Sequence, residues 1–269
     1  MKRMTVIWIA TLVGVWIFGG CQGHTPRKAQ EESPSIQSLL SARDPNVLVV
    51  ACMPDFPPYE SVDANGESVG VSIDVMREIA RRLNRPVTFR ALPWTDVLAQ
   101  LSSGNADLAA TMVYTPQRGR EWALSLGWGT MTSVVYVRRT SKIRTISDVV
   151  PKVVASPKGS MEYEQLLVKG VQHLIGTKNV EEALRMTVTG AVDGAGCNRE
   201  AAKAAFKQHI GWESALFEIE TPLAVTPVTI AGRKGNEVLI DRISGVIGEM
   251  KKDGTLAQLT AGVGGQSSI

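Results

Sequence analysis

Between residues 47 and 262 the apolar positions alternate between two spacings. "VLVVAC" (47–52) is a short β-branched run that reads as a strand. "VSIDVMREIARRLN" then places Ile73, Met76, Ile79, Ala80 and Leu83 at helical spacing. "PVTFRAL" (86–92) returns to strand, and "WTDVLAQLSSGNA" reads as a helix opened by Thr95 or Asp96 and closed near Gly104. "DLAATMV" (107–113) is the next strand. The middle of the chain repeats this style in "KVVASP", "SMEYEQLLVK", "NVEEALRMTVTGA", "VDGAGCN" and "REAAKAAFKQHI". A strand, "PVTIAGR", and one long helix, "EVLIDRISGVIGEMKKDGTLAQLTAG", close it. Strand and helix in alternation predict an α/β fold, a sheet covered on both faces. No segment repeats another, which points to similar lobes rather than a solenoid.

The first 46 residues follow a different rule. "MKRMTVIWIATLVGVWIFGGCQG" has a basic head, an uncharged apolar run from Met4 to Gly20, and small residues directly before Cys21. That order is an export signal over residues 1–20, too short and wrongly ended for a membrane span. Residues 21–43 are polar and proline-punctuated and read as a tether, with the fold beginning near Val47.

Composition narrows the partners. The 269 residues carry a formal charge of +3. Setting aside Lys2 and Arg3 from the 29 basic residues, against 26 acidic ones, brings the remainder to +1. A nearly neutral body offers no basic surface for nucleic acid. His24, His173 and His209 are scattered without metal-ligand spacing, so neither a metal site nor another cofactor is expected. Cys52 and Cys197 are expected to be two buried thiols.

Four blocks, "FPPYESVDANGESVGVSIDVMREIARRL", "LSSGNADLAATMVYTPQRGREWALS", "VVASPKGSMEY" and "GRKGNEVLIDRISGVIGEMKKDGTLAQL", occur in an order that resembles the bacterial extracellular solute-binding proteins of family 3, the polar amino-acid receptors of ABC importers. The resemblance covers nearly all of Val47 to Gly262. It implies a two-lobed periplasmic-binding-protein fold of type II, with two crossover hinge strands and a ligand cleft between the lobes. One lobe would comprise residues 44–129 and 227–269, the other 133–223. "FGGC" further resembles the bacterial lipobox, which would make Cys21 the lipidated residue anchoring a periplasmic or cell-surface protein to the membrane.

The resemblance also assigns a site. Arg118, in "TPQR", stands where the family grips the ligand's carboxylate. Its planar guanidinium suits that role independently, because it offers two parallel charge-assisted hydrogen bonds and stays charged at any physiological pH. Phe56 matches the aromatic covering the ligand, Thr111 and Val113 match residues that assist the arginine, and Lys158, Gly159, Ser160 and Met161 match the loop that closes from the second lobe.

Departures from the family pattern matter as much. Asn198 stands where the usual acid pairs with the ligand's ammonium, Val71 where a second aromatic is common, and Met53 where an acid often sits. Asp193 is the only nearby acid in that segment that would substitute for Asn198. Met53, Phe56, Val71, Val113, Met161 and Cys197 would then form an apolar chamber ending in one guanidinium, suited to a small organic acid or a weakly polar amino acid. The expected protein is a monomeric, non-enzymatic receptor that passes a small carboxylate ligand to an ABC permease. A stand-alone sensor, and an enzyme resembling cyclohexadienyl dehydratase, are the alternatives, the latter lacking a convincing acid in the cleft.

Overall fold

A computed structural model describes residues 44–263. The export signal, the tether and Cys21 lie outside the described residues.

The main sheet follows the order β10 (His173–Thr177), β9 (Val153–Pro157), β11 (Gly194–Asn198), β8 (Gly129–Arg138), β13 (Ala224–Arg233), β6 (Leu108–Val113), β1 (Leu48–Cys52), β5 (Val87–Ala91), with the short strands β7 (Trp122–Leu124) on β13 and β12 (Leu216–Glu218) on β8. At one end β1 runs parallel to β5 and β6; at the other β9 runs parallel to β10 and β11. The ten-residue strands β8 and β13 join these parallel halves, pairing antiparallel from Ala224↔Ser133 to Val228↔Gly129. The architecture is two α/β halves joined by two long crossover strands.

Burial explains why these segments are strands. Every residue of β1 and of β6 is buried, because helices cover both faces of the sheet there. Leu48 and Val50 pack with Ile73, Met76 and Ile79 on one face; Val49 and Ala51 pack with Val97 and Leu101 on the other. The second half is built likewise, with Val134, Ala155, Ala195 and Cys197 on one face and Val135, Val154, Leu166 and Ile219 on the other. The edge strand β5 alternates half-buried and exposed positions.

Two expectations change. The closing segment is not one helix: it runs as Glu237–Lys252 and then Thr255–Leu259, broken at Gly254, whose φ of 81° is left-handed. The helix expected from Thr95 or Asp96 starts at Trp94 behind Pro93, without a side-chain cap. Cys52 and Cys197 are buried free thiols on β1 and β11, and burial pushes the Cys52 thiol up to about 11.

A small sheet of β2 (Asp55–Phe56), β3 (Glu60–Val62) and β4 (Ser68–Val69) follows β1. Gly70 links it to the helix Val71–Arg82 with φ 123°, and a Cβ there would lie 2.3 Å from the Tyr59 carbonyl oxygen. Gly70→Ala is therefore expected to destabilise the protein by about 2–4 kcal/mol, combining backbone strain with overpacking. Gly66→Ala, at φ 84° with nothing within 4 Å, should cost only about 1 kcal/mol. Urea unfolding of both variants checks the contrast, and equal losses would refute it.

Candidate functional site

Chain direction sets the location. The parallel strands β1, β6, β9 and β10 all deliver their C-terminal ends to the seam between the halves, where open α/β sheets present free backbone groups and loops. A cavity of about 80 Å³ lies there, room for several waters or a small organic molecule.

The first half contributes Met53, Asp55 and Phe56 after β1, Trp94 at the start of its helix, Thr111 and Val113 at the end of β6, and Arg118. "TPQR" is a helix start: Thr115 caps it by accepting the Arg118 N–H at 3.1 Å, and Pro116 occupies the first turn. The cap fixes the backbone from which the guanidinium projects. Arg118 is 6% exposed, and its guanidinium lies 5.5 Å from the Trp94 ring centroid.

The second half contributes Pro157, Ser160, Met161 and Glu162 after β9, and Lys178, Asn179 and Val180 after β10, while Met131 comes from β8. Ser160 and Asn179 are helix caps, accepting the N–H groups of Tyr163 at 3.1 Å and Glu182 at 3.0 Å. Gly159, held at φ 73°, turns its carbonyl to the other half, where it accepts from Trp94 Nε1 at 2.8 Å and Arg118 Nη2 at 3.2 Å. Arg118 Nη2 also donates to Glu164 Oε1 at 3.1 Å, and Asn179 Nδ2 donates to Asp55 Oδ2 at 2.6 Å.

Seven of the residues singled out in the sequence share this cavity: Met53, Phe56, Thr111, Val113, Arg118, Ser160 and Met161. Gly159 enters through its carbonyl only. Val71 is outside the lining, its N–H bonded to the Pro58 carbonyl at 3.1 Å and its side chain packed on the core. Asn198 is also outside: 2% exposed, it caps the helix Arg199–Gln208 by accepting the Ala201 N–H at 2.9 Å. Asp193 is spent on the Val153 N–H at 3.0 Å. Cys197 is buried behind the wall, so the expected apolar chamber is incomplete, and the lining includes an acid, Glu162, that the expectation left out.

The sequence reading does not single out Trp94, Glu162, Glu164 or Glu60. Trp94 stands there only beside a helix start expected at Thr95 or Asp96. Glu162 and Glu164 stand in a first turn, where acids favour the helix dipole whatever they face.

The model for the bacterial extracellular solute-binding proteins, family 3, matches residues 48–266. The chain belongs to that family. Among family relatives, the L-cystine-binding protein TcyA of Bacillus subtilis is 24% identical over 97% of this chain and 96% of its own. The histidine-binding periplasmic protein of Salmonella typhimurium is 24% identical, over 80% of this chain and 86% of its own. Among solved structures, an ancestral arginine-binding protein bound to arginine superposes with a TM-score of 0.74 at 27% identity, covering 82% of this chain and 99% of that one. These relatives are binding proteins by name, and the family is extracytoplasmic. No helix among the described residues is long and apolar enough to cross a membrane.

Behind the lining of this family 3 protein lies Glu60, 1% exposed. It accepts the Thr111 hydroxyl and, at 2.6 Å, the Met53 N–H, so it steadies two cavity residues. Thr111 is also bonded to the Ser72 hydroxyl at 2.7 Å. Burial pushes the Glu60 carboxyl up to about 7 from 4.5, although both hydrogen bonds lower it. The native state then holds a proton that the unfolded chain releases between those values. Stability should fall as pH rises from about 4.5 to about 7, by up to about 3 kcal/mol, and level off above. Glu60→Gln keeps an acceptor for Met53 and should remove that slope. Urea unfolding across this pH range compares the two, and parallel curves would exclude a protonated Glu60.

Proposed function

We propose that this solute-binding protein is a lipoprotein that captures a small carboxylate-bearing ligand, an amino acid or a related acid, and presents it to an ABC permease. The observation that carries the reading is Arg118: buried in the cavity wall, aligned by a helix cap, and using Nη2 alone for its side-chain hydrogen bonds among the described residues. Its remaining N–H groups are left for a ligand carboxylate. Names of relatives that bind cystine, histidine and arginine support a ligand of this class and a non-catalytic role.

In this reading, lobe one comprises residues 44–129 and 227–269 and lobe two 133–223, with the β8–β13 pair as hinge. Bonds that cross the seam, Trp94 to Gly159, Arg118 to Gly159 and Glu164, and Asn179 to Asp55, favour a shut form, and ligand contacts to both halves add to them. The permease would recognise that form. Cys21 would carry the lipid that keeps the receptor at the membrane.

Arg118→Ala should abolish binding without loss of fold, and Arg118→Lys should recover a fraction, because an ammonium lacks the planar fork. Calorimetry on the full-length protein in detergent, with L-cystine, L-histidine and L-arginine, tests this. Wild-type affinity in Arg118→Ala would remove the central contact. Cys21→Ser should release the protein from the membrane fraction, and mass measurement should show the acyl chains gone; a variant still acylated would refute the anchor.

A further inference from the structure

The cavity wall carries a buried carboxylate that no cation among the described residues neutralises. Glu162 is 8% exposed and lines the cavity at the start of the helix Met161–Val168. Its one hydrogen bond comes from the Ser133 hydroxyl, 2.6 Å from Oε1. A carboxylate accepts at about four positions, so most of its capacity is unspent. Among the described residues no lysine, arginine or histidine pairs with it: Arg118 is engaged by Glu164, and Lys178, the other cation in the lining, is exposed and makes no ion pair. A neutral hydroxyl does not offset the burial of a carboxylate, which calls for a cation.

Strand register places this carboxylate. Ser133 on β8 lies directly opposite Asn198 on β11, so Glu162 is anchored at the strand position across from Asn198. Burial raises the Tyr59 phenol, a rise that a hydrogen bond with Asn198 partly offsets, and it raises the Cys197 thiol; Glu162 is among the nearby acids that raise both further. Phe56, stacked on Tyr59 at 5.2 Å, adds an aromatic ring to the same lining.

We infer that Glu162 is the receptor for a cationic group of the ligand, in the first instance an ammonium, and so selects zwitterionic ligands over plain organic acids. This rests on the cavity being the ligand site with Arg118 as its carboxylate clamp. It reverses the handicap that Asn198 suggested for α-amino acids, since the acid absent from β11 is supplied by the adjoining helix start.

The test pairs each ligand with its deaminated form, using full-length protein in detergent and calorimetry at about pH 8, where the imidazole is neutral: L-histidine with imidazolepropionate and L-cystine with 3,3′-dithiodipropionate. The wild type is expected to prefer at least one amino acid over its partner on the order of 10- to 100-fold. Glu162→Gln, which keeps the shape and the Ser133 contact, should reduce that preference to about threefold or less while leaving the deaminated acid's affinity unchanged or improved. Ser133→Ala, which frees the carboxylate without removing it, should lose part of the preference. A folded Glu162→Gln that keeps the full preference overturns the inference and leaves the Arg118 clamp standing. Wild-type preference for the deaminated acids does the same. Failure of every probe to bind the wild type overturns both this inference and the proposed ligand class.

Discussion

The antiparallel pairing of β8 with β13 is the constraint on which the other features of the site depend. Each half of the sheet is parallel and complete on both faces, with its own apolar clusters. Only the long central strands carry the sheet from one half to the other. Because β8 and β13 run antiparallel, the strands of both halves bring their C-terminal ends, with their loops and helix starts, to one seam. Met131 and Ser133 belong to this same strand pair, one lining the cavity and the other holding the Glu162 carboxylate. A change in β8 register by one residue would turn Ser133 to the opposite face of the sheet and leave Glu162 without its anchor.

Much of the architecture was legible because strand and helix periodicities differ, while the short strands β2, β3 and β4, which interrupt the α/β alternation, carry no such signal. "VLVVAC" and "DLAATMV" became β1 and β6 within a residue of their expected ends. The single closing helix failed at Gly254, since one glycine after Asp253 looks the same within a continuous apolar stripe as at a break. The cavity residues that could be named were those the family resemblance assigns, two of them at recognisable helix starts. Arg118 follows a Thr-Pro helix start, and Ser160 is itself a cap. Trp94 and Glu162 were opaque because their roles depend on what a helix start faces, which only tertiary packing decides.

Three charged side chains at this site meet the cost of burial in three ways. Glu60, enclosed behind the wall, is pushed toward its neutral form. Arg118 pairs with Glu164, whose side chain is 35% exposed, donates to the Gly159 carbonyl and lies against the Trp94 ring. Glu162 has a single hydroxyl donor. The first two are resolved within the protein, while the third stays open toward the cavity. Polar groups left open at a binding site give specificity, because a ligand that does not satisfy them leaves the desolvation cost in place.

The balance of these charges orders the ligands. Arg118, its ion-pair partner Glu164 just outside the lining, and Glu162 together carry one net negative charge, while the exposed side chains Lys178 and Asp55 are largely screened by water. A plain anion clamped on Arg118 would raise that excess in a small, partly desolvated space. A zwitterion adds no net charge and presents opposite poles to Arg118 and Glu162, so each pole lies against its complement. Glu164 sharpens the distinction: by already neutralising much of Arg118, it reduces the pull on a lone carboxylate, and the ammonium contact at Glu162 becomes the part of binding that a deaminated acid has no means to replace.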